Sequence, residues 1–483
     1  MLSAAMTDTP PFLLWLRDDL RLDDNPALRA ACEQPGPMAV LYVLEEDGPR
    51  RSLGGAARWW LHMSLAALSD ALESMGQHLV LRVGDPVALV PEIARTAGVA
   101  RVVWNRRYGA AARTDEAVAA ALGKAGIAVE TFKANLLLEP DEIAAAGDGP
   151  VKVYSAFWRK AQAAQPWRKP LPAPRALPPP LKKIETVALD RLALLPTRPD
   201  WAGGLRQTWT PGEAAARARL AAFVDDALPG YAGHRDQPGE SATSRLSPHL
   251  RFGEISPARI VASLGEAPGK DAAKFVSELG WREFAWHVLG HKPDMAEENL
   301  RPEFDAFPWH RPRPALLKAW QAGNTGYPIV DAGMRELWHT GWMHNRVRMV
   351  VASFLTKHLL IDWRIGERWF WDTLADADPA NNPFGWQWVA GSGYDAQPYF
   401  RIFNPVLQGE KFDAKGAYVR RWVPEIGGLP DRYIHRPWEV PPMEREAGGV
   451  RLGRDYPEPV VDHAAARRRA LEAFEAMRKR TGG

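Results

Sequence analysis

The sequence predicts an α/β first half built on a parallel sheet, followed by a mostly α-helical second half. Three observations carry this. Short apolar runs alternate with helical patterns up to residue 133. A proline-rich stretch then interrupts the chain, with ten prolines between Pro166 and Pro211. Beyond Glu213 no stretch alternates convincingly, and helical patterns take over.

The elements follow in order. Apolar runs at 12–16, 38–44, 79–83, 100–104 and 128–132 predict five strands. Short apolar strands that alternate with helices are expected of a parallel sheet covered on both faces. Helical patterns at 26–32, 53–75, 86–96 and 110–125 lie between them, the order of a parallel sheet with crossover helices. Proline lacks a backbone donor and resists helix and sheet, so the next stretch reads as a connector, wrapped over the surface rather than floppy. Helices are expected at 213–227, 272–289, 315–322, 331–339 and 345–358, with a basic, alanine-rich closing helix at 464–479. The expected division is 10–135, 136–211 and 212–483. At roughly 150 residues per domain, 483 residues accommodate about three.

Composition excludes several classes. Lys+Arg number 61 against 58 Asp+Glu, a net charge of +3. That excludes a polybasic coat but permits a local basic patch. One cysteine, Cys32, excludes a disulfide framework and a cysteine-built zinc cluster. No apolar run approaches the ~20 residues of a membrane span. The N-terminus lacks a basic flank before an apolar stretch, so no export signal is expected and a reducing cytoplasm is the default. Tryptophan is in excess: 11 of 21 lie between Trp281 and Trp388. They make either a large aromatic core or a set that stacks on a flat ligand or carries electrons.

Four motifs carry chemistry. The hydroxyls of Thr243-Ser244-Arg245-Leu246-Ser247 precede a helix, where they can cap it or bind phosphate. Tyr231 and Arg235 are spaced to close the same pocket. Glu278, Trp281 and Arg282 share one helical face. That trio suits a wet cavity that stacks a base, or an exposed salt bridge beside a core tryptophan. Asn345, Arg348 and Met349 share another face. The segment 372–388 packs three Asp, two Asn and two Trp, including Asp376, Asp378, Asn382, Trp386 and Trp388. Calcium-loop spacing is missing there, so no metal is expected.

The runs WLRDDLRLDDNPAL, TSRLSP, WREF, TGYPIVDAGMRELWHTGWMHNRVRM, DADPANNPFGWQW and PYFRIFNPVLQGEKFD resemble the photolyase/cryptochrome family in order and over nearly the whole chain. The chain looks most like cyclobutane pyrimidine dimer photolyases close to the plant-cryptochrome branch. The resemblance implies a Rossmann-like antenna domain, a connector and a helical FAD-binding domain. Tyr231 and Thr243, Ser244, Arg245, Leu246 and Ser247 would hold the phosphates and ribityl chain of FAD. Asn345, Arg348, Asp376, Asp378 and Asn382 would surround the ring system. An amide at Asn382 has no titratable proton, and the family's plant photoreceptors carry Asp there, which favours repair over signalling. The stretch MHNRVRM lacks the paired histidines of the (6-4) branch, which points to the cyclobutane lesion.

By similarity, Trp281 and Trp388 would cradle a flipped dimer, Glu278 would bond its edge and Met349 would contact it. Arg235, Arg282, Arg346, Arg401 and Gln408 would grip UV-damaged DNA without reading sequence. Trp386, Trp363 and Trp309 match an electron-hopping chain. A second chromophore, methenyltetrahydrofolate first, is implied, but Asn105-Arg106-Arg107-Tyr108 lacks the family's Asn-Glu pair and no residues are assigned to it. A cryptochrome-type blue-light photoreceptor is the alternative; the short segment after Pro457 speaks against its long tail. A dark flavoprotein is the third reading. The protein is expected to act as a monomer.

Overall fold

The computed structural model describes residues 9–46, 51–143, 149–181, 184–265, 269–396 and 400–482. Strands β1 (Phe12–Leu16), β2 (Met38–Leu44), β3 (Leu79–Val83), β4 (Arg101–Asn105) and β5 (Ala128–Phe132) form one parallel sheet in the order β3-β2-β1-β4-β5. Helices α1 (Pro26–Cys32), α2 (Gly55–Ser74), α3 (Pro86–Thr96) and α4 (Ala110–Lys124) connect them.

The central strands β1 and β2 are apolar throughout because each serves two cores. Phe12, Leu14 and Leu16 pack with Trp59, Trp60 and Leu65 of α2 on one face. Leu13 and Trp15 pack with Val90 and Ile93 of α3 and Val118 and Leu122 of α4 on the other. The period of two delivers alternate side chains to opposite faces. Asn25 and Asp85 open α1 and α3 by accepting from the backbone of Leu28 at 3.1 Å and Val87 at 2.9 Å. Each cap precedes a proline whose missing N–H costs nothing at that position.

The connector is wrapped, as expected. Met38 N–H donates to Pro179 O at 2.9 Å, Leu181 N–H to Met38 O at 2.8 Å, and Val187 N–H to Leu81 O at 3.0 Å. These bonds occupy backbone groups on the β2–β3 side that an open sheet edge would leave free. A helix at Tyr154–Ala163, which the proline count does not suggest, lies before this wrap.

In the second half, helices Lys270–His291, Pro314–Ala322, Pro328–Thr340 and His463–Thr481 match the predicted ones closely. Those predicted at 213–227 and 345–358 end in π-turns, at Phe223–Ala227 and Phe354–His358. Helices Trp363–Thr373 and Asn381–Ala390 lie outside the helical stretches named above. Asn, Pro and Gly at the start of the latter read as turn chemistry. Yet Pro383 falls in the first turn, where the helix needs no donor. The core here gathers Trp320, Phe354, Trp363, Phe370 and Trp386.

The two halves meet at the loop after β1. Arg17, Asp19, Arg21, Asp23, Asp24 and Asn25 are all buried, none more than 6% exposed. Arg21 donates to Gly253 O at 2.8 Å, and Arg259 pairs twice with Asp23, at 2.7 and 2.8 Å. Glu213 accepts from the backbone of Leu22 at 2.6 Å and of Asp23 at 3.0 Å. Gly253 sits at φ +64°, where a Cβ would lie 2.1 Å from Asp18 O. Gly253→Ala should therefore force the halves apart and destabilise the protein by about 1–3 kcal/mol, read from the urea unfolding midpoint.

Candidate functional site

The helical half encloses a cavity of about 560 Å³, within the roughly 300–1,000 Å³ of small-molecule and cofactor sites. Tyr231, Thr243, Ser244, Arg245, Leu246, Ser247, Asn345, Arg348, Asp376, Asp378 and Asn382 all line it. These residues, distant in sequence, thus meet around one cavity.

The Thr243–Ser247 loop is not a simple helix cap. The helix it opens, Ser247–Arg251, has no side-chain cap bond. Arg245 holds a left-handed backbone at φ +52°, a conformation costing a non-glycine about 1–3 kcal/mol and typical of ligand clamps. Its guanidinium lies 4.4 Å over the Trp342 ring. Trp342 Nε1 donates to Ser247 Oγ at 3.2 Å. Hydroxyls and an arginine on one wall suit phosphate.

Further along, Arg348 pairs with Asp376 through two bonds, at 3.1 and 2.7 Å, while its Nε donates to Met343 O at 2.7 Å. The pair neutralises itself in a buried place. Asp378 accepts from the backbone of Ala380 at 2.8 Å and of Asn381 at 2.6 Å, so part of its capacity goes to starting the Asn381–Ala390 helix. Asn382 Nδ2 donates to Glu367 Oε1 at 2.7 Å. Trp386 is 2% exposed, and its Nε1 has no acceptor among the described residues. Phosphate-suited hydroxyls and an arginine, a neutralised ion pair and an amide around one cavity fit a flavin dinucleotide.

Half-buried residues complete the same cavity: Arg235, Glu278, Trp281, Arg282, Arg346, Met349 and Trp388. Glu278 sits between two cations, 2.7 Å from Arg235 and 2.7 Å from Lys274. Trp281 is stacked on Tyr154 at 3.8 Å between centroids and 10° between planes, and Tyr154 is anchored to Ser277 O at 2.6 Å. One face of the indole is thus covered by protein. Gly280 permits this, because a Cβ there would lie 2.5 Å from Trp158 and 2.8 Å from the Tyr154 hydroxyl. Tyr154 carries no signal in the sequence, since it lies in the connector. Arg282 is less free than expected: it donates to Glu283 at 2.8 Å and Asn135 O at 3.1 Å.

Four predicted residues stand off the cavity. Trp363 is fully buried in the core around Trp386 and donates to Asn299 at 2.9 Å; Trp309 packs against the outside of that core. Gly366, one turn beyond Trp363, lies against Trp386, whose ring a Cβ would meet at 2.1 Å. Arg401 is exposed over Phe403 at 4.7 Å, and Gln408 is half-buried.

A second cavity, about 390 Å³, lies between the halves. Asp18 after β1 and Arg106, Arg107 and Tyr108 after β4 line it, with Trp286, Glu367 and Trp371 from the helical half. It sits outside the carboxyl ends of β1 and β4, where the strand order reverses and α/β sheets bind ligands. Asn105 turns away, donating to Asp19 at 2.6 Å and Asn25 at 2.8 Å. Among the described residues no His/Cys/Asp/Glu cluster could hold a metal, and no helix is long and apolar enough to cross a membrane.

His344 Nδ1 accepts from the Arg346 backbone at 3.2 Å, capping the Asn345–Ser353 helix that carries Asn345, Arg348 and Met349. Burial pushes this imidazole down to about 4. An unfolded histidine takes its proton near 6.5, so the unfolded chain binds more protons between the two values. Stability therefore falls as pH drops from about 6.5 to 4. His344→Asn keeps a capping acceptor and should remove about 1–3 kcal/mol of that loss, measured by urea unfolding at both ends of the window.

Comparison with known proteins agrees with this geometry. A family model described as "DNA photolyase" matches residues 12–176, and one described as "FAD binding domain of DNA photolyase" matches residues 275–476. The chain is 50% identical to a deoxyribodipyrimidine photo-lyase of Agrobacterium fabrum, covering 98% of this chain and 99% of that one. It is 37% identical to cryptochrome-1 of Arabidopsis thaliana, over 96% of this chain and 70% of that one. The crystal structure of a bacterial class III photolyase from Agrobacterium tumefaciens superposes with a TM-score of 0.95 at 49% identity, over 99% of this chain and 100% of that one. A five-stranded parallel sheet, a helical half with a dinucleotide-sized cavity and full-length likeness converge: the chain belongs to the photolyase/cryptochrome family.

Proposed function

We infer that this protein is a deoxyribodipyrimidine photo-lyase, a lyase that uses FAD and light to split cyclobutane pyrimidine dimers in DNA. One observation carries the reading: a single cavity joins a phosphate- and flavin-suited wall to a pair of half-buried tryptophans, Trp281 and Trp388. Full-length identity to a photo-lyase supports it. Asn382, in place of the Asp of plant photoreceptors, favours repair over a cryptochrome-type role.

Reduced FAD, when bound, supplies a photoexcited electron to the dimer. The chain does the holding. Tyr231 and Thr243 through Ser247 bind phosphates and ribityl chain; Asn345, Asp378 and the Arg348–Asp376 pair orient the ring system. The Asn382 amide offers hydrogen bonds without a titratable proton. Base flipping is a general property of photolyases; Trp281 and Trp388 receive the flipped dimer, Glu278 bonds its polar edge and Met349 packs beside it. The Tyr154 stack keeps Trp281 flat. Arg235, Arg346, Arg401 and Gln408 grip the DNA backbone, with Arg282 shared between substrate and the contacts it already makes. Trp309, Trp363 and Trp386 carry electrons inward.

The 390 Å³ cavity is the proposed place of a second, light-collecting chromophore, with methenyltetrahydrofolate as the first candidate. Division at 135/136 and 211/212 is part of the same reading, supported by the sheet on one side and the helices on the other. Action as a monomer in the cytoplasm completes it; the lone Cys32 suits a reducing compartment.

Anaerobic repair of a thymine-dimer oligonucleotide should occur under blue light and not in darkness, and a (6-4) oligonucleotide should stay unrepaired; equal product in light and darkness would sink the proposal. Trp281→Ala should weaken binding to dimer DNA by about 1–3 kcal/mol, the worth of one stacked base, read by titration. Trp386→Phe should slow photoreduction while chemically pre-reduced enzyme still repairs, a split visible by comparing the two assays.

A further inference from the structure

Asn382 is held from behind. Its Nδ2 donates both to Glu367 Oε1 at 2.7 Å and to Glu367 O at 3.1 Å. A carbonyl and an ionised carboxylate only accept, so a turned-over amide would set its oxygen against two oxygens. With the nitrogen committed to the Trp363–Thr373 helix, Oδ1 is the atom left for the cavity.

Glu367 itself is 1% exposed. A carboxylate so buried stays ionised only with a partner, and burial pushes this one up. The partner comes from the α/β half. Arg51 Nη1 donates to both carboxylate oxygens at 2.8 Å, and its guanidinium is braced 4.4 Å over the Trp371 ring. Arg51 and Glu367 line the 390 Å³ cavity, and Asn382 lines the 560 Å³ one. Three side chains thus connect the two cavities in direct sequence.

We propose that Glu367, held ionised by Arg51, is a positioning residue that fixes the Asn382 amide with its carbonyl oxygen toward the flavin, so that a side chain from the α/β half sets the hydrogen-bonding face the flavin meets. This rests on the reading that Asn382 lies beside FAD. A protonated Glu367, or a glutamine in its place, offers a donor of its own, so that only the Glu367 carbonyl at 3.1 Å still opposes a turned-over amide.

The test uses the full flavin-loaded chain. Glu367→Gln, Arg51→Ala and Arg51→Lys are made in the wild type and in an Asn382→Ala background. FAD per chain, flavin midpoint potential and long-wavelength absorbance under blue light are measured. Glu367→Gln and Arg51→Ala should both retain FAD and shift potential and absorbance in the same direction; Arg51→Lys should return both toward wild type. In the Asn382→Ala background neither should add a further shift. Equal shifts in both backgrounds would mean that Glu367 acts without Asn382 and overturn the proposal. So would silence of both variants where Asn382→Ala alone does shift the flavin. An Asn382→Ala chain with unaltered potential and spectrum overturns the placement of Asn382 itself. Should Glu367→Gln fail to hold FAD, the two Arg51 variants decide.

Discussion

Six buried polar residues between β1 and α1 govern how this molecule is put together. Charges taken this far from water are tolerated only when each has partners. Here the partners are supplied from several separate stretches. Arg17 reaches Asp115 at 2.9 Å and the Asn105 carbonyl at 2.6 Å; Arg21 reaches the Asn135 side chain at 2.9 Å and Gly253 O at 2.8 Å. Asp24 takes Arg168 Nη2 at 2.8 Å and the hydroxyl of Ser256. Such a network needs sheet, connector and helical half in one relative placement, because moving any of them strands a buried charge at a cost of about 3–5 kcal/mol.

That placement has chemical consequences. It closes the second cavity across the reversal point of the sheet, with Asp18 from the loop on its wall. It brings Arg51 to Glu367, and so places a cation from the first half one residue away from the amide that faces the main cavity. The proposed active site is therefore not a property of the helical half alone.

Within the main cavity, aromatic packing adds to the rigidity that ion pairs such as Arg348–Asp376 supply. Trp281 is kept flat by Tyr154, which in turn lies 10° from the plane of Trp158. Trp386 is pinned by Gly366 and by Phe370 at 4.9 Å. Aromatic contacts of this kind hold a surface in position without adding charge, which suits a site meant to accept a flat, polar-edged ligand and a stacked base.

Much of this was legible in the residues themselves. Short apolar runs placed all five strands to within one residue, most cleanly β1 and β2, which are covered on both faces and apolar at every position. Hydroxyls ahead of a helix, and the 3.6-residue spacing of Glu278, Trp281 and Arg282, were legible as motifs open to a cap or a salt bridge as well as to a site; the fold brings both to one cavity. Helix Asn381–Ala390 escaped, since turn-forming residues at its start and burial on nearly all sides leave little periodic stripe; Trp363–Thr373 does carry a stripe, at Trp363, Glu367, Phe370 and Trp371, from which it could have been read. Tyr154, Glu367 and Arg51 escaped for a different reason. Their roles depend on partners at sequence separations of 127, 15 and 316 residues, which only the tertiary fold brings within hydrogen-bond or stacking distance. Local chemistry and periodicity were determined by the sequence; which side chain stands behind another was decided by how the two halves close on the buried loop.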